Sequence, residues 1–189
     1  MKIEEGHRKA EKEKREVTRR WKQSQIKKQY TIDSESKRLA FLEPRSEQGV
    51  LWLLAKITQL WPEKFPWLNV LDLDQHFGYD LLVRKKHLLS DEVEPAFVEV
   101  KYELRDGEDF NHSFDYLFGI VCWETRIQPD SELLDIQQHK RIFKISPRNK
   151  EHNYTQCFLN NPSGGTNIEV IVLKKYLEET LGLQESEPE

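Results

Sequence analysis

Apolar residues recur at helical spacing in one well-defined stretch. Val50, Leu53, Leu54, Ile57 and Trp61 lie three or four positions apart, which places them on a single helical face. Ser46 stands where an N-cap belongs and Pro62 where a helix must stop, so the pattern predicts a helix from about 47 to 61. Downstream, the spacing changes to short apolar runs bounded by turn residues, the mark of strands. Pro66–Leu73 reads as a first strand, His76-Phe77-Gly78 as a turn and Tyr79–Arg84 as a second strand. Ala96–Tyr102 reads as a third strand, joined to the second through Asp91–Pro95. Asn111–Gly119 reads as a short helix running into a strand at Ile120–Glu124. Phe143–Ser146 and Glu169–Leu173 are further strands, 160–165 is a loop, and Lys174–Leu181 is a terminal helix. The order helix, three strands, helix, strand predicts an α/β domain.

The first forty residues follow a different rule. Residues 7–30 lack Pro and Gly and are rich in Lys, Arg, Glu and Gln, which favours helix. Glu5/Lys9, Glu11/Arg15 and Glu16/Arg20 have the favourable i,i+4 order. Ala10, Val17, Trp21, Ile26 and Tyr30 are too sparse to sustain heptads. The expected organisation is a charged helical arm or linker over 1–43, an α/β domain over 44–182, and an acidic tail over 183–189.

Charge follows the same division. The net charge is −4, yet residues 1–40 carry 13 Lys/Arg against 7 Asp/Glu, and the remainder carries the opposite excess. A basic arm ahead of an acidic body can meet a polyanion or a protein partner, or serve only as a solvated helix. No apolar run approaches the roughly 20 residues that span a bilayer, and the N-terminus has no secretory apolar core, so the expected location is cytoplasmic, without a membrane. Cys122 and Cys157 stand outside any CxxC or Cys/His spacing and are expected as reduced, packed thiols.

The third strand carries the candidate chemistry. Glu99 and Lys101 alternate with Val98, Val100 and Tyr102, so the acid and the lysine share one face. Asp80 lies in the preceding strand, and neighbouring strands run ~4.8 Å apart, close enough for two carboxylates to share a cation. Hard cations such as Mg²⁺ or Mn²⁺ take carboxylate and carbonyl oxygens, so the Val100 carbonyl is a further candidate ligand. Lys101 is placed to hold a cation-activated water or to stabilise negative charge. Glu47 stands at the edge of the inward-facing stripe of the first helix.

Glu47 in that helix, Gly78-Tyr79-Asp80, and Phe97-Val98-Glu99-Val100-Lys101 together resemble the PD-(D/E)XK, or restriction-endonuclease-like, nuclease superfamily. The resemblance covers about residues 44–125 and implies an αβββαβ core, its mixed central sheet flanked by helices. It implies a metal-dependent nuclease that hydrolyses phosphodiester bonds, with DNA as the expected substrate. Asp80 and Glu99 would then hold the metal, Lys101 would be the catalytic lysine, and Glu47 an accessory carboxylate. Tyr79 stands where that family often has proline. His112, at the expected start of the second helix, would contact the phosphate or orient water.

Each residue also has a plain structural reading. Glu47 can favour a helix dipole, Asp80 can flank a turn, and Glu99 with Lys101 can be a solvated strand face. Asn111 can cap the second helix with His112 in its first turn. Arg84, Lys85 and Lys86, just past Asp80, are the expected nucleic-acid contacts. A second basic cluster, His139-Lys140-Arg141 with Lys144, Arg148 and Lys150, reads as a solvated edge, with contact to nucleic-acid phosphates as its alternative. The alternative to an enzyme is a catalytically inactive module of the same fold that binds nucleic acid or protein within a larger assembly.

Overall fold

The computed structural model describes residues 2–24, 28–65, 69–73, 80–86, 93–107, 110–148, 150 and 153–186. Its internal contacts divide the chain into two units, Pro44–Gly182 and Met1–Glu43 with Leu183–Glu189. No helix among the described residues is long and apolar enough to cross a membrane.

In the smaller unit, α1 (Lys2–Ser24) is followed by a hairpin of β1 (Gln29–Ser34) and β2 (Lys37–Leu42). Glu16 binds Arg19 and Arg20 at 2.8 and 3.0 Å, and hydrogen bonds from these guanidinium groups lower its pKa to about 2. The expectation of a helical arm over 1–43 is corrected from residue 29 onward. Tyr30, Ile32 and Phe41 are apolar, β-favouring and buried, so this stretch gains more as a hairpin. Glu35 and Ser36 turn it with positive φ. The expected acidic tail is corrected over 184–186, where β11 (Gln184–Ser186) pairs antiparallel with β1, and its residues 187–189 lie outside the described residues.

In the larger unit, α2 (Glu47–Leu60) begins where Ser46 Oγ accepts from Gly49 N at 3.2 Å. It ends where Trp61 N donates to Ile57 O at 2.8 Å, just before Pro62. Val50, Leu53, Leu54 and Ile57 are buried, as the helical stripe required. The remaining strands, β3 (Asn69–Leu73), β4 (Leu81–Lys86), β5 (Val93–Leu104), β6 (Leu117–Thr125), β7 (Glu132–Leu134), β8 (Lys140–Ser146), β9 (Gln156–Asn160) and β10 (Ile168–Val172), form one sheet. Their order is β3-β4-β5-β6-β10-β9-β8-β7. The β3-β4-β5 meander is antiparallel, β5, β6 and β10 run parallel, and β10 to β7 is antiparallel again, so the sheet is mixed. Helix α3 (Leu173–Leu181) ends at Gly182, whose φ of 67° and N–H bond to Leu177 O close it in the left-handed region that glycine tolerates.

One element differs from expectation in a way that affects the site. The second helix, expected over Asn111–Gly119, is a single 3₁₀ turn, Phe114–Tyr116, and β6 already starts at Leu117. The run Leu117–Trp123 is rich in strand-forming residues and contains Gly119, a poor helix residue; most of it is buried. Ser113, not Asn111, caps the turn, accepting from Asp115 N at 3.2 Å.

Asp135 ties that turn to the β7–β8 hairpin. Its buried carboxylate accepts from Phe114 N at 2.9 Å and from Gln137 N and His139 N, each at 2.8 Å. Leu104, Phe110, Phe114, Ile120, Phe143 and Leu159 belong to one buried cluster, each worth about 1.5–3 kcal/mol of burial. Cys122 and Cys157 are free and buried. The two edges of the sheet are unlike. Strand β7 is three residues long, whereas β3 leaves Val70, Leu71 and Leu73 exposed.

Candidate metal and phosphate-hydrolysis site

Strand β5 is central, flanked by β4 and β6, and this position makes its polar residues consequential. The β4–β5 register pairs Leu81 with Val98 and Val83 with Ala96. Extending it by one residue sets Asp80 opposite Glu99. Leu81, Val83, Val98 and Val100 are buried on one face. Alternation therefore puts Asp80, Glu99 and Lys101 together on the other.

Asp80 also completes the ladder. The paired part of β4 ends at Leu81, and beyond it the N–H of Val100 donates to Asp80 Oδ2 at 2.7 Å. The N–H and C=O of one strand residue point to the same side, so the Val100 carbonyl faces the Asp80 side as well. Asp80 Oδ1 is then the oxygen left for a ligand.

Glu99 is only 5% exposed. Its Oε1 receives Lys101 Nζ at 2.8 Å, whereas Oε2 is buried without a hydrogen-bond partner. Burial raises its pKa, the Lys101 bond opposes that rise, and the negative charges of Asp80 and Glu47 add to it. Burial likewise raises the pKa of Asp80, opposed by the Val100 N–H and by the charges of Lys101 and His112. Glu47, from the first turn of α2, turns its Oε1 to Lys101 Nζ at 3.5 Å. Lys101 thus sits between two carboxylates contributed by two elements. His112, half-buried just ahead of the 3₁₀ turn, lies near enough for its charge to act on Asp80.

The donor set fits a hard divalent cation in one respect. A buried oxygen without a partner, a second carboxylate oxygen across the strand pair and a backbone carbonyl are the oxygen ligands Mg²⁺ or Mn²⁺ takes, with water filling the rest. It does not form an all-protein cage: among the described residues no group of three or more His, Cys, Asp and Glu side chains gathers around one point. Glu47 accordingly stands beside Lys101 rather than completing such a group.

The basic residues are arranged differently from the sequence expectation. Arg84 is exposed on the Asp80 face of β4, four residues along the strand, about 13 Å away at the strand rise. Lys85 and Lys86 continue the strand, but their side chains lie outside the described residues, as do Gly78 and Tyr79. The cluster read as a solvated edge is corrected at Arg141, which is 6% exposed, although Lys140 and Lys144 do pair at the surface with Glu132 and Asp130. Sequence reasoning also passed over Asp135. Its signal was local: an acid immediately before a polar turn, placed to accept several backbone N–H groups. Comparison of the chain with protein-family models, with curated proteins and with solved structures finds no match.

Proposed function

We propose that the larger unit is a metal-dependent nuclease of the restriction-endonuclease-like type, hydrolysing phosphodiester bonds, with DNA as its substrate. One observation carries the reading: a nearly buried carboxylate, Glu99, with one oxygen on Lys101 and the other unpartnered, opposite a second acid, Asp80. Burying such a group costs several kcal/mol unless something pairs with it, and packing alone does not call for it. The succession of α2, an antiparallel three-strand meander and a parallel fourth strand supports the same reading, although a 3₁₀ turn, Phe114–Tyr116, stands where the αβββαβ order has its second helix.

Asp80 and Glu99, with the Val100 carbonyl, would hold Mg²⁺ or Mn²⁺, which would lower the pKa of a bound water and neutralise charge on the phosphate. Lys101 holds its ammonium 2.8 Å from Glu99, where it can orient the attacking water and stabilise charge building on phosphorus. Glu47 gives the lysine a second carboxylate partner at 3.5 Å. His112, whose charge acts on Asp80, would contact the scissile phosphate or orient water.

The test is cleavage of duplex and single-stranded DNA with Mg²⁺ or Mn²⁺, for the native chain and for Lys101→Ala and Asp80→Ala. Loss of one such electrostatic group costs ~10²–10³ in rate. Cleavage at native rate in both variants would exclude this site.

One observation favours a second reading. Asp80 already serves the backbone of Val100, and Lys101 already neutralises Glu99, so the trio can brace a non-catalytic module that binds nucleic acid or protein. Calorimetric titration with Mg²⁺ and Mn²⁺ separates the two, since this second reading requires no carboxylate-dependent heat.

A further inference from the structure

The described residues include four buried charged side chains, and three of them have evident counterparts. Glu99 faces Lys101, Glu103 faces Arg105 and Arg126, and Asp135 accepts backbone N–H groups and meets His139. Arg141 is the exception. It makes one long bond, Nη1 to Thr166 O at 3.4 Å, and its guanidinium lies over the Phe114 ring at 5.9 Å. Its Nε is buried with no hydrogen-bond partner, and no carboxylate pairs with it among the described residues. A cation–π contact offsets part of the burial, not the missing anion.

What surrounds Arg141 indicates which anion would fit. It lies on the wall of a cavity of about 430 Å³ that Phe97, Tyr116, Phe118 and Asn167 also line. Phe118 is the extra residue of a bulge, because the β5–β6 register steps from Phe97↔Leu117 to Val98↔Gly119. A second cavity adjoins, sharing Arg141 and adding His139, Lys140 and Ser163. Asn161 and Asn167 use their carboxamide oxygens within the loop, accepting from Ser163 N and from Asn160 Nδ2, so their amide groups remain to donate. Two carboxylates also line the larger cavity, Asp115 and Glu94. Both are exposed and therefore screened, and Asp115 lies 3.9 Å from His139 Nδ1.

We propose that this cavity binds one nucleotide, its phosphate on Arg141 and its base against Phe97, Tyr116 and Phe118. The guanidinium edge is a fork that matches phosphate oxygens, and aromatic walls accept a base by stacking. Phe97 shares its strand face with Glu99 two residues on, about 7 Å along the strand, so the nucleotide sits beside the carboxylate site. The choice of a nucleotide over another phosphate ester rests on the hydrolase reading above; the anion site itself does not.

The experiment is done on the full chain in EDTA, so that metal binding plays no part. Deoxyadenosine 5′-monophosphate, inorganic phosphate, deoxyadenosine, and a short oligonucleotide with and without a 5′-phosphate are titrated by calorimetry. The expected result is that the mononucleotide or the 5′-phosphorylated strand binds more tightly than phosphate or nucleoside alone; which of the two binds better identifies the source. Arg141→Met should weaken that binding about tenfold or more. It should also melt no lower than the native chain, because an unpaired buried charge is removed. Should Arg141→Met fail to fold, Arg141→Lys keeps the charge without the fork and should lose the same preference. Absence of binding by every phosphate-bearing probe, binding unchanged by the Arg141 substitution that folds, or phosphate binding as tightly as the nucleotide would each overturn the proposal. Nucleotide binding in EDTA reads this pocket alone and Mg²⁺-dependent cleavage reads the carboxylate site, so failure of the metal site and failure of this pocket are told apart.

Discussion

Ionised Glu99 is disfavoured by its surroundings, and that sets a pH dependence opposite to the one surface acids give. Its folded-state pKa is raised above the ordinary 4.5, chiefly by burial. Below about 4.5 the residue is protonated whether folded or unfolded and costs nothing. As pH rises through the raised value, the folded state must ionise it in place, and stability falls. Glu99→Gln should therefore be more stable than the native chain at neutral to mildly alkaline pH in EDTA. The advantage should vanish toward pH 4.5, as read by urea unfolding at each pH. Adding Mg²⁺ should reverse the ranking by stabilising only the native chain. Much of this was legible in the sequence, because alternation alone put Glu99 and Lys101 on one face and Val98 and Val100 on the other. Arg141 was not legible. In a run of His, Lys and Arg nothing marks which cation turns inward; that depends on the strand pairing of Leu133 with Arg141.

At the scale of elements, the 3₁₀ turn Phe114–Tyr116 is held from a distance by Asp135, and its stability depends on that carboxylate. Burial pushes the Asp135 pKa up, but the N–H groups of Phe114, His139 and Gln137 outweigh burial and hold it below the usual value. Its contribution is fully present above the unfolded pKa and disappears as pH falls through the lowered one. Asp135→Ala leaves three backbone donors without their acceptor and should cost at least about 2 kcal/mol in denaturant unfolding. Because His112 lies two residues before Phe114, the same variant should also slow cleavage under the nuclease reading. Elements with strong local signals were legible: the apolar stripe, Ser46 and Pro62 define α2 within a residue or two. The 111–119 segment was misread because its polar start resembles a helix cap. Only the packing of Phe114 and Leu117 in the sheet core decides for strand.

At the scale of the whole molecule, residues 29–42 and 184–186 meet in one small sheet. Strand β1 is hydrogen-bonded to β2 on one side and to β11 on the other. Lys28 pairs with Glu185 at 3.0 Å, and Thr31 with Ser186 at 3.3 Å. Ending the chain at Gly182 should unprotect β1 amides in hydrogen exchange, while those of β5 and β6 exchange as before. Pairing between residues more than 150 positions apart leaves no local trace, which is why 183–189 read as a loose tail.

The unlike edges of the large sheet have a consequence for how the protein behaves in bulk. Strand β7 offers a partner three residues and a charge, whereas β3 offers five residues with Val70, Leu71 and Leu73 uncovered. An open, apolar strand is a template on which other copies can stack edge to edge. Concentrated solutions should therefore first turn cloudy through β3, and Leu71→Lys, a gatekeeper charge on that edge, should raise the concentration at which light scattering begins.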